Sequence, residues 1–295
     1  MAAKIHGVCP VIPTLFLGSE QIDFDSMNGL IDAVIAWGVH GLAIFGIASE
    51  FYKLADAERA QLLDFFIKAV RGRVSTIVSV TAHSTLLACR QASEAEEAGA
   101  DAIMLLPPFF GGPDGASIMR HLQSVLGSVR IPVVLQYAPE ETKLSIPAQA
   151  FLELAEQAGV GLYVKVESKP AGALISRLTD GGVKVLVGKG GIPFYEALVR
   201  GAIGVMPGCS VADRFVKIYD LFRGGEKLRA LEEHNRIVPY LCFIDQSTEL
   251  FLAAEKYFLK RRGMIAEART RRPDFLLETV HREILDRYIA GFGYG

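Results

Sequence analysis

The sequence predicts an α/β fold, a (β/α)8 TIM barrel followed by a C-terminal helical appendage. Three observations carry that prediction. Eight brief apolar runs alternate with longer segments of helical period. The runs are almost continuously hydrophobic, as strands covered by helices on both faces are. From about Leu221 onward only helical patterns remain. Eight βα units in about 220 residues suit a closed barrel better than an open doubly wound sheet.

In order, the predicted strands are Gly7–Phe16, Val39–Phe45, Val74–Val80, Ala102–Leu106, Ile131–Gln136, Gly161–Val166, Val183–Val187 and Ala202–Met206. Between them the helical period spans Asp25–Trp37, Asp56–Val70, Thr85–Ala98, Asp114–Leu126, Pro147–Gln157 and Pro193–Arg200, each opening on a residue type at home near a helix start. The tail adds Glu226–Cys242, Thr248–Arg261 and Pro273–Ala290. Residues 1–220 are expected to form the barrel and 221–295 a helical extension of the same domain, because no Pro-, Gly- or Ser-rich linker separates them. No GxGxxG follows the first strand, and no strand end carries GxxxxGK[ST].

Composition narrows the function. With 295 residues, 51% of them apolar, the chain can bury a sizeable core. A net charge of −2 gives no electrostatic reason to expect nucleic acid or a membrane surface as a partner. No run reaches the roughly 18 apolar residues of a membrane span, and MAAKIHGVCP has no apolar signal core. Cys9, Cys89, Cys209 and Cys242 lie far apart, and the six histidines show no HxH or HExxH spacing, so no metal is expected. These features read as a cytoplasmic protein with reduced thiols and no cofactor. Arg261, Arg262, Arg269, Arg271 and Arg272 form a basic cluster in the tail, read as solvated or interfacial surface.

One strand breaks the apolar rule. In GLYVKVES, residues 161–168, Lys165 stands among β-forming neighbours. A lysine on an exposed edge strand would need no explanation, but a closed barrel has no edge. Lys165 lies near the C-terminal end of the sixth strand, where barrel enzymes keep their chemistry. An amine in such a confined, partly apolar space keeps more of its neutral form and can attack a carbonyl.

The motifs GVCPVIPTLF, GIASEFYKLADAER, EAEEAGADAIMLLPPFF, IPVVLQYAP, YVKVES, LVGKGG, GAIGVMPG and AAEKYFLKRRGMI follow one another with the order and spacing of one family. In them the chain resembles the dihydrodipicolinate synthase and N-acetylneuraminate lyase family of Schiff-base class I aldolases, along essentially its whole length. The resemblance implies that Lys165 forms an imine with pyruvate or a related 2-oxo acid. It implies a homotetramer, with Phe109 and Phe110 packed against a neighbouring chain. It also implies that the backbone N–H groups of Ala48 and Ser49 hold the substrate carboxylate, with Met206 flooring the site and the Gly188–Lys189–Gly190 turn close to its mouth.

The departures from the family pattern matter as much. Where Gly-Thr-Thr-Gly-Glu is usual the chain has Gly46-Ile47-Ala48-Ser49-Glu50; a tyrosine pair becomes Phe109-Phe110; and Tyr-Asn-Val-Pro becomes Gln136-Tyr137-Ala138-Pro139. Counting from Pro132 and back from Pro139 puts Gln136 in the tyrosine slot, and strand alternation points Tyr137 to the other face. The usual proton relay is then replaced at Ile47, Phe110 and Gln136 together. An amide is no acid or base near neutral pH, so the shuttle falls to Tyr137, Glu167, water or the substrate. Lys189 reads as a solvated lysine, and Glu50 as a support for the carboxylate loop. Glu141 occupies the position of the arginine that grips the aldehyde substrate's carboxylate in the synthases.

Three functions fit these residues unequally. The leading one is a Schiff-base lyase or aldolase acting through Lys165, and not a working dihydrodipicolinate synthase. A barrel that binds 2-oxo acids but has lost turnover is the alternative. A metal-dependent isomerase lacks ligands.

Overall fold

The computed structural model describes residues 5–294; Met1–Lys4, the start of the stretch read for a signal segment, lie outside the described residues. Among the described residues eight strands run β1 Gly7–Val8, β2 Gly41–Ile44, β3 Ser75–Val80, β4 Ala102–Leu105, β5 Val133–Tyr137, β6 Leu162–Val166, β7 Lys184–Val187 and β8 Gly204–Val205. The helices are α1 Phe24–Ala36, α2 Asp56–Val70, α3 Thr85–Glu97, α4 Gly115–Leu126, α5 Pro139–Thr142, α6 Ala148–Gln157, α7 Gly172–Asp180, α8 Phe194–Val199, α9 Ala212–Arg223, α10 Lys227–Ile244, α11 Thr248–Arg261 and α12 Thr279–Gly291. The sheet order is β1-β8-β7-β6-β5-β4-β3-β2. Its two ends meet where His40 N donates to Val8 O at 2.9 Å. The chain is a (β/α)8 barrel, as the alternation of runs predicts.

Two compact units are present. The first comprises Met1–Cys9, His40–Ala43 and Ser75–Met206; the second comprises Pro10–Val39, Ile44–Val74 and Pro207–Gly295. The first holds nearly all of the sheet. Its pairings from β3 to β8 and from β8 to β1 are parallel. Ile77, Val78, Val80, Ile103, Val133, Val134, Val164, Val166, Val185 and Val187 are all fully buried. Burying each such side chain contributes roughly 1.5–3 kcal/mol.

The first and last strands are shorter than expected. Pro10 and Pro13 have no N–H to give to a ladder, and the run after Val8 continues only as single bonds such as Cys9 N to Val205 O, 2.9 Å. Gly204 makes this close approach possible, since a Cβ there would lie 2.0 Å from Gly7 O.

The second unit carries α1, α2 and α9–α12. α2 and α11 span the predicted residues end to end. The last predicted helix does not begin at Pro273 but at Thr279. The chain leading into this stretch is held by tertiary contacts: the carbonyls of Arg269, Arg271 and Pro273 accept from Lys256 or Lys53, and Arg271 N donates to Glu50. Within the predicted span this takes up the Pro273 carbonyl, the first acceptor that a helix starting there would use.

Candidate active site

Three neighbouring strands of the first unit set the site. Gln136 on β5, Lys165 on β6 and Leu186 on β7 are register partners, so their side chains leave the sheet on one face. Lys165 is 5% exposed. Glu167 N donates to Tyr137 O at 2.9 Å, which carries the ladder one residue past β6. The alternation therefore persists, and the Glu167 carboxylate returns to the face of Lys165. Its Oε1 lies 3.4 Å from Lys165 Nζ.

The carboxylate is gripped from both sides. Gln136 Nε2 donates to its Oε2 at 2.5 Å, and Lys189 N donates to its Oε1 at 3.0 Å. Gly188 makes room for it: a Cβ there would sit 2.1 Å from Oε1. Burial alone would push the Glu167 carboxyl up. The Lys165 charge and the donors at Lys189, Gln136 and Lys165 outweigh that effect and hold it below the ordinary carboxylate range. The result is a largely buried ammonium–carboxylate pair one proton transfer apart.

Tyr137 does not join this group. Its ring packs edge-on against Phe151 of α6, with centroids 5.2 Å apart, and so faces the helix layer. Met206 is buried at 2% and donates its N–H to Val187 O at 2.9 Å. Phe109 and Phe110 flank His83, with ring centroids at 4.8 and 6.0 Å, and Phe110 is 81% exposed.

Lys189 is not merely solvated, as the sequence suggested. Its Nζ lies 2.8 Å from Glu141 Oε1, and its side chain is 15% exposed. It also adopts φ +52°, beside Gly190 at +61° and Gly191 at +87°. A side chain in that left-handed region costs on the order of 1 kcal/mol. Lys169 N donates to Glu140 Oε1 at 2.9 Å, so the segments that follow β5, β6 and β7 are tied together through Glu140, Glu141 and Lys189.

In the second unit Ile47–Ser49 form a single 3-10 turn. The Ser49 N–H, expected to face a substrate carboxylate, donates within the turn to Gly46 O at 2.9 Å. Ser49 Oγ donates to Ile12 O at 2.6 Å, and Ser49 O accepts from Thr14 Oγ1 at 2.7 Å. Glu50 follows at φ +52° with a fully buried carboxylate. Its Oε1 meets Lys256 Nζ at 2.5 Å; its Oε2 meets Lys53 Nζ and Arg271 N, each at 3.1 Å. Arg271 in turn pairs with Glu58 at 2.6 Å. The tail arginines are thus not uniformly solvated: Arg262 lies over the Trp37 and Tyr294 rings and pairs with Asp213 at 3.1 Å.

Sequence reasoning underweighted two of these groups. Glu167 was visible in principle, because residues i and i+2 share a strand face. The Lys189–Glu141 pair left no signal, since the partners are 48 positions apart on different loops.

Comparison with known proteins follows the same lines. The family model described as the dihydrodipicolinate synthetase family matches residues 4–290. The chain belongs to the dihydrodipicolinate synthetase family. Among its relatives is an L-2-keto-3-deoxyarabonate dehydratase of Azospirillum brasilense, 28% identical over 277 residues, which are 91% of this chain and 88% of the relative. Another is a 4-hydroxy-tetrahydrodipicolinate synthase of Syntrophus aciditrophicus, 28% identical over 292 residues, 97% and 98% of the two chains. The crystal structure of a dihydrodipicolinate synthase from Rhodopseudomonas palustris superposes with a TM-score of 0.92 at 25% identity, over 97% of each chain. Membership in this synthetase family makes the chain a relative of lyases. No helix among the described residues is long and apolar enough to cross a membrane.

Proposed function

We propose that this family member is a Schiff-base lyase acting on a 2-oxo acid through Lys165, with Glu167 carrying the proton. The observation behind this reading is the Glu167 carboxylate, 3.4 Å from Lys165 Nζ and held there by Gln136 and Lys189. It offsets the loss of the usual relay at Ile47, Phe110 and Gln136, which on its own would suit a barrel that binds without turnover.

The chemistry runs through one carboxylate. Glu167 accepts a proton from the Lys165 ammonium, and the amine attacks the C2 carbonyl. The carbinolamine leaves its oxygen as water, taking the proton back from Glu167, and a protonated imine remains. Glu167 then removes a proton from C3 to give the enamine. At that point the positive charge beside Glu167 is gone, and the protonated carboxyl stands as the acid. It delivers its proton to a C4 hydroxyl, which departs as water as the electron pair forms the C3=C4 bond. Water finally hydrolyses the imine, releasing the 2-oxo product and Lys165.

Elimination is favoured over condensation with aspartate semialdehyde. The Azospirillum relative is named a dehydratase, and Gln136 supplies no proton where the synthases have a tyrosine. Glu141, in the position of the synthases' arginine, offers an acceptor instead of a forked donor. Its pairing with Lys189 lowers the repulsion expected from an unpaired carboxylate but restores no arginine. Turnover of about 1 s−1 or more, a typical enzyme rate, is expected with a 3-deoxy-4-hydroxy-2-oxo acid. In a coupled assay, pyruvate with aspartate semialdehyde should give no measurable rate. The reverse pattern would overturn the reading.

A homotetramer belongs to the same proposal. Phe110 at 81% exposure is an apolar ring that a second copy would cover. Light scattering that finds a monomer at micromolar concentration would contradict it.

A further inference from the structure

The seam of the barrel carries a titratable side chain that the proton chemistry does not use. Gly7 N and Cys9 N donate to Ile203 O and Val205 O, each at 2.9 Å, so these N–H groups face β8. Val8 turns its backbone the other way, toward β2. Its carbonyl accepts from His40 N at 2.9 Å, and its N–H donates to His40 Nδ1 at 3.2 Å. A parallel ladder would give that N–H a backbone carbonyl, but β2 begins only at Gly41. The imidazole stands in for the missing rung. Gly7 makes room for the ring at φ +67°, where a Cβ would lie 2.4 Å from His40 Cγ. We infer that His40 is a pH-sensitive latch that closes the barrel between β1 and β2 and releases β1 in acid.

The direction follows from donor and acceptor roles. A backbone N–H only donates, so Nδ1 must present its lone pair and the imidazole must be neutral. A proton on Nδ1 sets two donors against each other and breaks the rung. His40 is half-buried, so the proton can reach it. His6 is exposed beside it, with ring centroids 5.0 Å apart, and a second imidazolium there adds repulsion. The Cys9 thiol, which donates to His6 O at 3.3 Å, is pushed up to about 12 by burial and stays neutral in acid. On the other side β3 contributes a backbone N–H, from Ser75 to His40 O at 3.4 Å. β1 lies three strand pairings from β6 in the sheet order, so nothing in the latch depends on Lys165 forming an imine.

Amide hydrogen exchange tests the latch. Protection of the Val8 N–H is read at about pH 8 and about pH 5, either side of the ordinary imidazole value of about 6.5. Protection factors divide out the intrinsic pH dependence of exchange. Their ratio to Val78 and Val134, in β3 and β5, divides out any general loss of stability. In wild type that ratio should fall about five- to tenfold from the higher pH to the lower, the reach of one hydrogen bond. His40→Asn keeps an acceptor near the Nδ1 position and does not titrate, so its ratio should be the same at both pH values. His40→Phe has no acceptor there, so its ratio should be low at both. A wild-type ratio that does not change, or one that falls equally in His40→Asn, overturns the latch. So does a His40→Phe ratio as high as that of wild type at the higher pH. If His40→Phe does not fold, the comparison of wild type with His40→Asn decides alone.

Discussion

Replacing Glu167 by glutamine is expected to lower kcat by about 10²–10⁴, the usual contribution of a positioned acid or base, while Lys165 still forms its imine. Glutamine keeps the volume but has a single acceptor oxygen, so it keeps one of the two bonds that Gln136 Nε2 and Lys189 N give to the separate oxygens of Glu167. It cannot take a proton from C3 or give one to a leaving oxygen. The effect should fall on kcat more than on KM, because the lost interaction is made in the transition state. Stability should respond too. Folding depresses the Glu167 pKa, so the group contributes stability above its unfolded value, and that contribution is lost as pH falls through the folded one. Glu167→Gln should lack this acid-side loss. An unchanged kcat in steady-state assays would remove Glu167 from the chemistry and return the shuttle to water or substrate.

Lys256→Met is expected to destabilise the protein by about 3–5 kcal/mol, the cost of leaving one partner of a buried ion pair alone. Lys256 is 1% exposed and Glu50 fully buried; the ammonium also donates to Thr14 O at 2.6 Å and Arg269 O at 2.9 Å. Three groups of the second unit, Glu50 and the Thr14 and Arg269 carbonyls, lose a bond at once. Lys53 remains 3.1 Å from Glu50 and softens the loss. A Lys256→Met, Glu50→Gln double variant should lose less than the sum of the two single changes. The pH dependence gives a second signature. Burial pushes the Lys256 pKa down from its ordinary 10.5 to about 8, with Glu50 opposing. Between those values the unfolded chain binds a proton that the folded one does not, so this group makes stability rise with pH there. That rise should vanish in Lys256→Met. Urea midpoints against pH measure both effects, and a midpoint equal to wild type would show that the pair contributes nothing.

The barrel was legible because its signal is periodic. Continuous apolar runs and intervening helical periods are local patterns, and α2 and α11 could be bounded to the residue. Alternation also separated Gln136 from Tyr137, since one step along a strand changes the face. What the sequence hid were contacts between distant positions. Nothing near Glu50 announces Lys256, 206 positions away. Nothing in the Gly188–Gly191 turn announces Glu141. The break before α12 was hidden for the same reason: the side chains that take its backbone groups are Lys53, Glu50 and Lys256, all far from it in sequence. Propensity favours a helix there, and tertiary hydrogen bonds override it.

The central claim is that Lys165 is the nucleophile, and reductive trapping tests it most directly. Borohydride added with a panel of 2-oxo acids, followed by peptide mass mapping, should place the adduct on the peptide that contains Lys165. The adduct should disappear in Lys165→Ala and form more slowly, on the same lysine, in Glu167→Gln. An adduct on another lysine, or none with any 2-oxo acid, would contradict the account.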